Sequence, residues 1–387
     1  MQKVRERFLS LDVFRGMTIC FMIIVNTGGS GAEPFAPLEH ARWHGFTPTD
    51  LVFPSFLFAV GNAMSFSMDK YRQMGHRILL AKIFRRTFLL FLFGYLMYWF
   101  PFFRLDDAGH IISAPIRNTR IMGVLQRIAL CYFFGALLIH YFSQRKVYFI
   151  SISILVGYWL VLLFFGSEAQ PFSMLGNAGL YLDKFLFGNH HLYHGEGIPF
   201  DPEGVLSTFP AIVNVVIGYY AGMFIKKTGK NYETISRLML TGALLVFIAL
   251  CWNMVFPINK KLWTSSFVLL TTGLDLLILS VVIYIVEIRK LNNFNWTKFF
   301  IIFGKNPLTI YLLSELLVTV FYMINIKPGF PFYRWINDVF FQQIAPGAMG
   351  SFLFAICYML LCWSVGWWLN KRQHNRGSKL TPDRITS

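Results

Sequence analysis

Residues 121–166 read IMGVLQRIALCYFFGALLIHYFSQRKVYFISISILVGYWLVLLFFG, which is two apolar runs separated by the polar residues 143–146. Each run has about 20 residues, the length of an α-helix that crosses the hydrocarbon core of a bilayer. The short polar segment leaves room only for a tight turn between two antiparallel helices. This stretch therefore predicts a transmembrane helical hairpin and, with it, an all-α membrane protein.

The same pattern extends along the whole chain of 387 residues, of which 55% are hydrophobic and only 14% are charged. A soluble domain usually has about a quarter charged residues, so composition excludes an ordinary soluble fold. We expect a polytopic protein with about ten transmembrane helices, placed roughly at 9–28, 50–68, 83–100, 121–142, 147–166, 204–225, 236–256, 263–286, 298–324 and 348–369.

The basic residues give the expected orientation. Most of the 35 Lys and Arg residues fall in alternate loops, and the excess of such residues in cytoplasmic loops places both the N-terminus and the C-terminus in the cytoplasm. Topology therefore explains the net charge of +16, and no clustered basic face predicts nucleic acid as a partner. We expect one transmembrane domain over 1–370, a polar cytoplasmic tail over 371–387, and the lipid bilayer as the surrounding partner.

Cysteine and histidine usage predicts neither a disulfide framework nor a bound metal. The five cysteines lie in apolar runs and form no CxxC pair. The histidines at 190, 191 and 194 have no carboxylate at a fixed helical offset. We therefore expect no metal site.

Ionisable residues inside the predicted spans are costly and are usually functional. Asp12 and Arg15 are three residues apart, so they either neutralise each other or leave Arg15 to bind an anionic ligand. Lys305, in the sequence Gly304-Lys305-Asn306-Pro307, either extends to the membrane surface or binds phosphate. Asp275 lies in mid-span as a proton relay, a counter-ion or a neutral acid, and these alternatives stay open.

The loop before the second helix contains the strongest pattern for chemistry. It reads EHARWHGFTPTDLVFP over residues 39–54. Histidine suits proton transfer near neutral pH, and His40 is a candidate general base. Asp50 could hydrogen-bond one ring nitrogen and fix the tautomer. Alternatively, Thr47 or Thr49 caps the helix and Asp50 only favours its positive N-terminus.

Two further polar groups are expected on the same outer face. Arg117, Arg120, Gln126 and Arg127 surround the start of the fourth helix, either as interfacial anchors or as contacts to a polar ligand. The sequence DPEG at 201–204 opens the sixth helix, where acids and proline are common.

Taken together, these motifs resemble the heparan-α-glucosaminide N-acetyltransferase family. The matching segments are RFLSLDVFRG at 7–16, VNTGG at 25–29, HARWHGFTPTDLVFP at 40–54, GVLQR at 123–127 and DPEG at 201–204. The resemblance is strong from the first to about the sixth helix and looser through Leu262-Trp263 and Gly304-x-Asn306.

The resemblance implies a transmembrane acyltransferase that moves acetyl from cytoplasmic acetyl-CoA to the amino group of an amino sugar or oligosaccharide. The essential histidine of the family matches His40, and the accompanying asparagine and aspartate match Asn26 and Asp50. His40 would act as general base or would carry the acetyl group, and Asn26 would donate a hydrogen bond to the thioester carbonyl. The resemblance further suggests a multi-pass protein of a bacterial inner membrane. Whether the protein forms a homodimer is left open.

The resemblance and the charge pattern together give two expected binding sets. The phosphates of CoA would contact Arg15, Arg85, Arg86, Lys305 and Asn306. The acceptor would contact Trp43, Arg120, Gln126, Arg127, Asp201 and Glu203. The alternative to an enzyme is a transporter or exporter of a small anionic or saccharide solute. A transporter predicts paired broken helices in two matching halves, and Pro307 has no such counterpart.

Overall fold

The computed structural model describes residues 8–105, 111–291 and 295–379, and within them almost all regular structure is helical. The helices are α1 (Leu9–Asn26), α2 (Val52–Gln73), α3 (His76–Trp99), α4 (Val124–Tyr141), α5 (Gln144–Phe165), α6 (Ala178–Phe187), α7 (Val205–Thr228), α8 (Tyr232–Asn253), α9 (Ser265–Ile283), α10 (Trp296–Lys305), α11 (Pro307–Met323), α12 (Phe332–Ile336), α13 (Gln342–Ile344) and α14 (Ala348–Lys379). Two short antiparallel hairpins complete the described structure: Phe103–Leu105 pairs with Ile111–Ser113, and Asn325–Lys327 pairs with Phe330–Pro331.

The all-α polytopic class is confirmed, but the number of apolar spans differs from the expected ten. In the described part of the chain, eight helices have the length and composition to cross a membrane, or nine if the bent pair α10–α11 forms one span. The remaining expected span, 83–100, is the long helix α3. Its first half carries Lys82, Arg85 and Arg86, so it is too rich in charge to be counted with the others. The cytoplasmic position of both termini stays a prediction.

Two expected element boundaries are corrected. The expected ninth helix is not continuous, because α10 and α11 meet at an angle of 82°. Pro307 is the first residue of α11, and a proline there lacks the N–H group that would continue the helical hydrogen bonding. At the other end of the chain, α14 continues to Lys379, beyond the predicted end near 369. Within the expected tail, residues 380–387 lie outside the described residues.

Close contacts between chain segments divide the chain into two compact units. One unit comprises Met1–Glu39 and Ile285–Ser387, and the other is His40–Tyr284. We call them the terminal unit and the central unit. The expectation of one acyltransferase domain over 1–370 stays a prediction.

Glycines allow close helix packing within each unit. In the central unit, a Cβ atom at Gly61 would meet the Val215 carbonyl oxygen, and one at Gly218 would meet the Phe58 carbonyl oxygen. In the terminal unit, a Cβ atom at Gly304 would meet the Asp12 carbonyl oxygen. Small residues at such positions let helix backbones approach closely, as is usual in membranes. These contacts fix α2 against α7 and α1 against α10.

Candidate active site

The loop that enters α2 is ordered around the side chain of Asp50, which is completely buried. Its Oδ2 atom accepts hydrogen bonds from the Ala41 amide at 3.2 Å, the Thr47 amide at 3.0 Å and the Thr47 hydroxyl at 3.1 Å. Thr47 and Asp50 therefore form a capping box on the helical turn Pro48–Leu51. The helix-end role considered from the sequence is thus present in the structure.

The other oxygen of the same carboxylate holds His40. Oδ1 of Asp50 lies 2.7 Å from Nδ1 of His40, and the histidine side chain is 43% exposed. A carboxylate only accepts hydrogen bonds, so Nδ1 is the protonated nitrogen and Nε2 keeps its lone pair. A buried aspartate that holds an imidazole in this way fixes its tautomer and orientation. The geometry is therefore that of an oriented base with Nε2 as its proton acceptor.

A lysine that the sequence analysis did not select lies against this pair. Nζ of Lys260, in the connection between α8 and α9, is 3.0 Å from both Nδ1 and Nε2 of His40 and 3.9 Å from Oδ1 of Asp50. Burial and neighbouring Lys261 lower the pKa of Lys260, while Asp50 and Glu203 raise it; the balance is a pKa of about 8. The available sequence signal was a Lys-Lys pair in a loop expected to be outside, where basic residues are few.

The connection that carries Lys260 is held in one shape by Asn259. Its amide accepts the Leu262 N–H at Oδ1, at 2.8 Å, and its own N–H donates to the Thr264 hydroxyl at 3.0 Å. Trp263 has a φ of 54°, a left-handed conformation that is uncommon for a bulky residue. Lys261 forms an ion pair with Glu196 at 2.5 Å. The local hydrogen bonds thus determine which lysine faces His40.

A second polar cluster joins residues that the sequence placed at two separate loops. Arg120 contacts both oxygens of Asp201, at 2.6 and 3.0 Å, and Oε2 of Glu203 at 2.5 Å. The guanidinium also lies 4.6 Å from the ring centre of Tyr193 and 5.0 Å from that of Tyr98. Arg120 is therefore a paired, partly buried cation, whereas Arg117 is exposed.

The pKa values of the two acids in this cluster are shifted in opposite directions. Burial raises the pKa of Asp201 even though Arg120 opposes that shift. Burial would also raise the pKa of Glu203, but the positive charges of Arg120, Arg127 and Lys260 outweigh burial and lower it. The negative charge of Glu203 also acts on Lys260, which lies beside His40.

Arg127 extends the cluster into the interior of the central unit. Its side chain is fully buried, and Nη2 donates to the Gly204 carbonyl at 3.2 Å and to the Ser207 hydroxyl. Among the described residues, its Nε and Nη1 atoms have no hydrogen-bond partner. The neighbouring residue Gln126 is also buried, and neither of its polar side-chain atoms has a partner there. Such orphaned groups usually bind water or a ligand.

Trp43 links the two loops. Its indole N–H donates to the Phe172 carbonyl at 2.9 Å, and its ring lies 5.7 Å from that of Phe200, next to Asp201 in sequence. A cavity of about 430 Å³ opens beside Arg120, and Tyr98, Trp99 and Tyr193 are among its lining residues. Its volume falls within the range of small-molecule sites. Among the predicted acceptor residues, Arg120 lines this cavity together with aromatic side chains.

Asp183, in α6, hydrogen-bonds the first turn of α7. The carboxyl is buried, and its Oδ1 accepts the Val205 N–H at 2.9 Å, at the first turn of α7. Burial raises the pKa of Asp183 to about 7. It therefore stays protonated in the folded protein at pH values where an unfolded aspartate, near pKa 4, has already ionised.

This difference predicts the pH dependence of stability. Because the folded state retains the proton longer, the stability that Asp183 contributes is fully present below about pH 4 and is lost as pH rises to about 7. We expect Asp183→Asn, whose side-chain oxygen can still accept the Val205 N–H, to make the unfolding midpoint less dependent on pH over this interval. Thermal unfolding in detergent measures it, with exposed Glu168→Gln as the control. A wild-type slope retained in Asp183→Asn would contradict the expectation.

In the terminal unit, the side chain of Arg15 contacts the break between α10 and α11. Its Nε donates to the Gly304 carbonyl at 2.7 Å, and its Nη2 bonds Oδ1 of Asp12 at 2.8 Å. Asn306 lies at the bend, and its Nδ2 atom is buried without a hydrogen-bond partner among the described residues. Lys305 is exposed, with Nζ 3.2 Å from the Asn370 side chain. Three of the predicted phosphate contacts thus lie in or beside one helix break.

The other predicted residues have different surroundings. Asn26 donates to Oε1 of Glu315 at 3.3 Å, so its predicted role stays a prediction. In the central unit, Arg86 stacks over Tyr132 at 4.7 Å, and Arg85 is exposed. Asp275 is buried and accepts the Ser55 hydroxyl.

The three histidines considered as metal ligands do not gather a ligand set. Nδ1 of His191 donates to the Thr119 carbonyl at 2.7 Å. Across the residues that the structure describes, no three His, Cys, Asp or Glu side chains lie together as a metal-binding group.

The fold and this geometry define a multi-pass helical membrane protein with an exposed, aspartate-oriented histidine. No protein-family model matches the chain. In an alignment of 372 positions, the chain is 30% identical to mouse heparan-alpha-glucosaminide N-acetyltransferase; the alignment covers 82% of this chain and 54% of the mouse protein. In an alignment of 371 positions, it is 29% identical to the human protein of the same name, with 81% of this chain and 54% of the human protein covered.

The chain is a distant homologue of these two proteins, which supports its assignment to the heparan-alpha-glucosaminide N-acetyltransferase family. The resemblance seen in the motifs is thereby confirmed. The chain spans about half the length of the curated relatives that it matches.

Proposed function

We propose that this protein is a transmembrane N-acetyltransferase. It transfers acetyl from cytoplasmic acetyl-CoA to the amino group of a glucosamine-type sugar on the opposite side of the membrane. The observation that carries the proposal is the oriented pair of His40 and Asp50, with Nε2 of the histidine available as a base. The names of the two relatives supply the reaction class, because both are N-acetyltransferases of a glucosaminide.

In direct transfer, His40 acts as the general base. Nε2 of His40 takes a proton from the attacking amine while the new N–C bond forms and the thioester C–S bond breaks. Asp50 holds the imidazolium that results. The departing CoA thiolate then takes up a proton, so acceptor amine and thioester become amide and thiol.

In a rival mechanism, His40 transiently carries the acetyl group. A single-turnover reaction without acceptor separates the two mechanisms. Acetylated histidine that forms and decays at the rate of turnover supports the carrier. Normal turnover with no such species supports direct transfer.

The acceptor is proposed to bind at the cluster of Arg120, Asp201 and Glu203. Charged residues bind sugar hydroxyl groups, and aromatic faces such as Tyr98 and Tyr193 suit the apolar faces of pyranose rings. The glucosamine ammonium group is attracted by the carboxylate of Glu203, whose pKa is lowered by the neighbouring positive charges. Trp43 connects this cluster to the loop of His40 through its contact with Phe200.

Purified protein with labelled acetyl-CoA and a panel of amino sugars tests the function. We expect labelled N-acetyl sugar with at least one glucosamine-type acceptor, identified by mass and by resistance of the amide to mild base. If acetyl-CoA binds but no sugar is labelled, another acceptor class replaces this one. Absence of acetyl-CoA binding would reject the enzyme and favour a transporter.

The donor site is proposed to use the helix break at Lys305. We expect Lys305→Ala to weaken CoA binding roughly tenfold while leaving acceptor binding unchanged, because a hydrogen bond to a charged group contributes about 1.5–3 kcal/mol. Calorimetry with CoA measures the change. Lys298→Ala, an exposed lysine of the same helix, is the matched control. Equal weakening by the two substitutions, or equal loss of donor and acceptor binding, would reject the phosphate role.

A further inference from the structure

Lys260 places an amine at the proton-accepting side of the candidate base. Its Nζ lies 3.0 Å from Nε2 of His40, and the lysine side chain is only 18% exposed. A general base must approach the proton that it removes to about 2.6–3.2 Å between heavy atoms. The lysine amine therefore already lies at the distance from Nε2 of His40 that an acceptor amine must reach.

The position has a direct consequence for substrate binding. Nζ is equally close to Nδ1, so it lies beside the imidazole ring and not on the lone-pair axis of Nε2. It occupies part of the space through which an acceptor amine would approach Nε2, so the acceptor and Lys260 compete for this position. In the absence of acceptor, the nucleophile nearest to the base is part of the protein itself.

We propose that Lys260 is a built-in competitor of the acceptor, and that the protein acetylates this lysine on Nζ when acetyl-CoA is bound without a sugar. The inference rests on the proposed function. Nζ attacks the thioester carbonyl, the N–C bond forms, the C–S bond breaks, and His40 takes the proton that the nitrogen loses. CoA leaves as the thiolate and is then protonated.

The surroundings of Lys260 favour this reaction. The charged groups that act on it are the two acids Asp50 and Glu203, neighbouring Lys261, and Glu196, the partner of Lys261. Because the pKa of Lys260 is about 8, its side chain is a free amine in about a tenth of the protein molecules at pH 7. This fraction is far larger than for an ordinary lysine of pKa about 10.4. The rate of self-acetylation should therefore rise with pH up to about 8 and then level off.

The modification would also end catalysis in the modified molecule. An amide on Nζ has no positive charge and hydrolyses very slowly, so acetyl-Lys260 would keep its added bulk beside His40. The lysine would then mark each protein molecule that had bound donor without acceptor.

Peptide mass spectrometry of the full-length protein in detergent tests the inference. The protein is incubated with deuterated acetyl-CoA, with and without a glucosamine acceptor, and labelling of Lys260 is compared with that of Lys261 over time. We expect Lys260 to be labelled about a hundredfold faster, as general-base catalysis provides. Acceptor should slow that labelling, and His40→Ala should slow it more than about tenfold, leaving only the reactivity that the lowered pKa gives Lys260. Lys261→Arg should leave it unchanged.

The outcomes separate this inference from the proposed function. Labelled sugar with Lys260 labelled no faster than Lys261 would overturn the inference and leave the transferase standing. Fast labelling of Lys260 that neither acceptor nor His40→Ala reduces would also overturn it, since chemical acetylation alone would then explain the label. Because protection by acceptor is measured on the wild type, the test does not depend on the folding of a variant. No label on sugar or on Lys260 would reject both.

Discussion

Replacing His40 with alanine is expected to reduce acetyl transfer by about 10²–10⁴-fold, the usual contribution of a general base. The imidazole presents Nε2 as the proton acceptor, since Nδ1 is held by Asp50. The measurement is the rate of labelled N-acetyl sugar formation at saturating acetyl-CoA. Binding of CoA should change little, because the substitution removes a base and not a phosphate contact.

The control lies in the same loop. His44 has its Nδ1 atom 3.4 Å from the Asn259 side chain, and burial lowers its pKa. His44→Ala should therefore keep most of the activity while removing a histidine of the same loop. Loss of the imidazole also deprives Oδ1 of the buried Asp50 of this donor, which typically costs about 1–3 kcal/mol, so activity is compared at a temperature where both variants are folded. A His40→Ala protein with more than half of the wild-type rate would refute the assignment.

Replacing Arg120 with alanine is expected to lower the free energy of unfolding by about 3–5 kcal/mol. Removal of one member of a buried ion pair leaves the opposite charge without compensation, and that situation has this typical cost. Here two carboxylates, Asp201 and Glu203, would lose the cation that contacts both at 3.0 Å or less. Denaturation in detergent, followed by the fluorescence of the tryptophans, measures the loss.

A matched variant and a rescue variant sharpen this result. Arg117→Ala removes an exposed arginine three residues earlier in the chain and should change stability by less than about 0.5 kcal/mol, as most surface substitutions do. Neutralising both acids with Asp201→Asn and Glu203→Gln in the Arg120→Ala protein should restore part of the lost stability. If Arg120→Ala and Arg117→Ala unfold alike, the cluster does not support the fold as described.

Much of this architecture was predictable because a bilayer imposes simple rules on sequence. Apolar runs of about 20 residues located nearly every long helix. The break between α10 and α11 at Pro307 was not predicted, because residues 298–324 were interpreted as one continuous span. The count of ten apolar spans failed at α3, where Lys82, Arg85 and Arg86 occupy the first half of a 24-residue helix. Hydropathy locates the apolar part of such a helix but not its charged beginning.

The candidate site was predictable only in part. His40 and Asp50 lie ten residues apart in one loop, so a motif could connect them, and the structure places them in contact. Lys260 lies 220 residues from His40 in the chain. Its approach depends on the hydrogen bonds of Asn259 and the left-handed backbone of Trp263. Such tertiary contacts leave no periodic signal in a single sequence.

The pairing of Arg120 with Asp201 and Glu203 illustrates the same limit. The sequence indicated two groups of polar residues at the starts of two helices, each with a local explanation. A helix N-terminus favours acids wherever it lies, and that preference cannot identify the arginine that neutralises them. The fold of the central unit supplies this information by bringing residue 120 to within 3.0 Å of residue 201.

The central claim is that acetyl crosses the membrane between a donor on one side and a sugar on the other. The most direct measurement uses full-length protein in sealed proteoliposomes, with a glucosamine oligosaccharide trapped inside and labelled acetyl-CoA added outside. Neither compound crosses a lipid bilayer unaided, since one is multiply charged and the other is large and polar. We expect labelled N-acetyl groups on the trapped sugar, and we expect this label to be lost in vesicles that contain His40→Ala. Labelled sugar that forms only when both compounds are on the same side would contradict it.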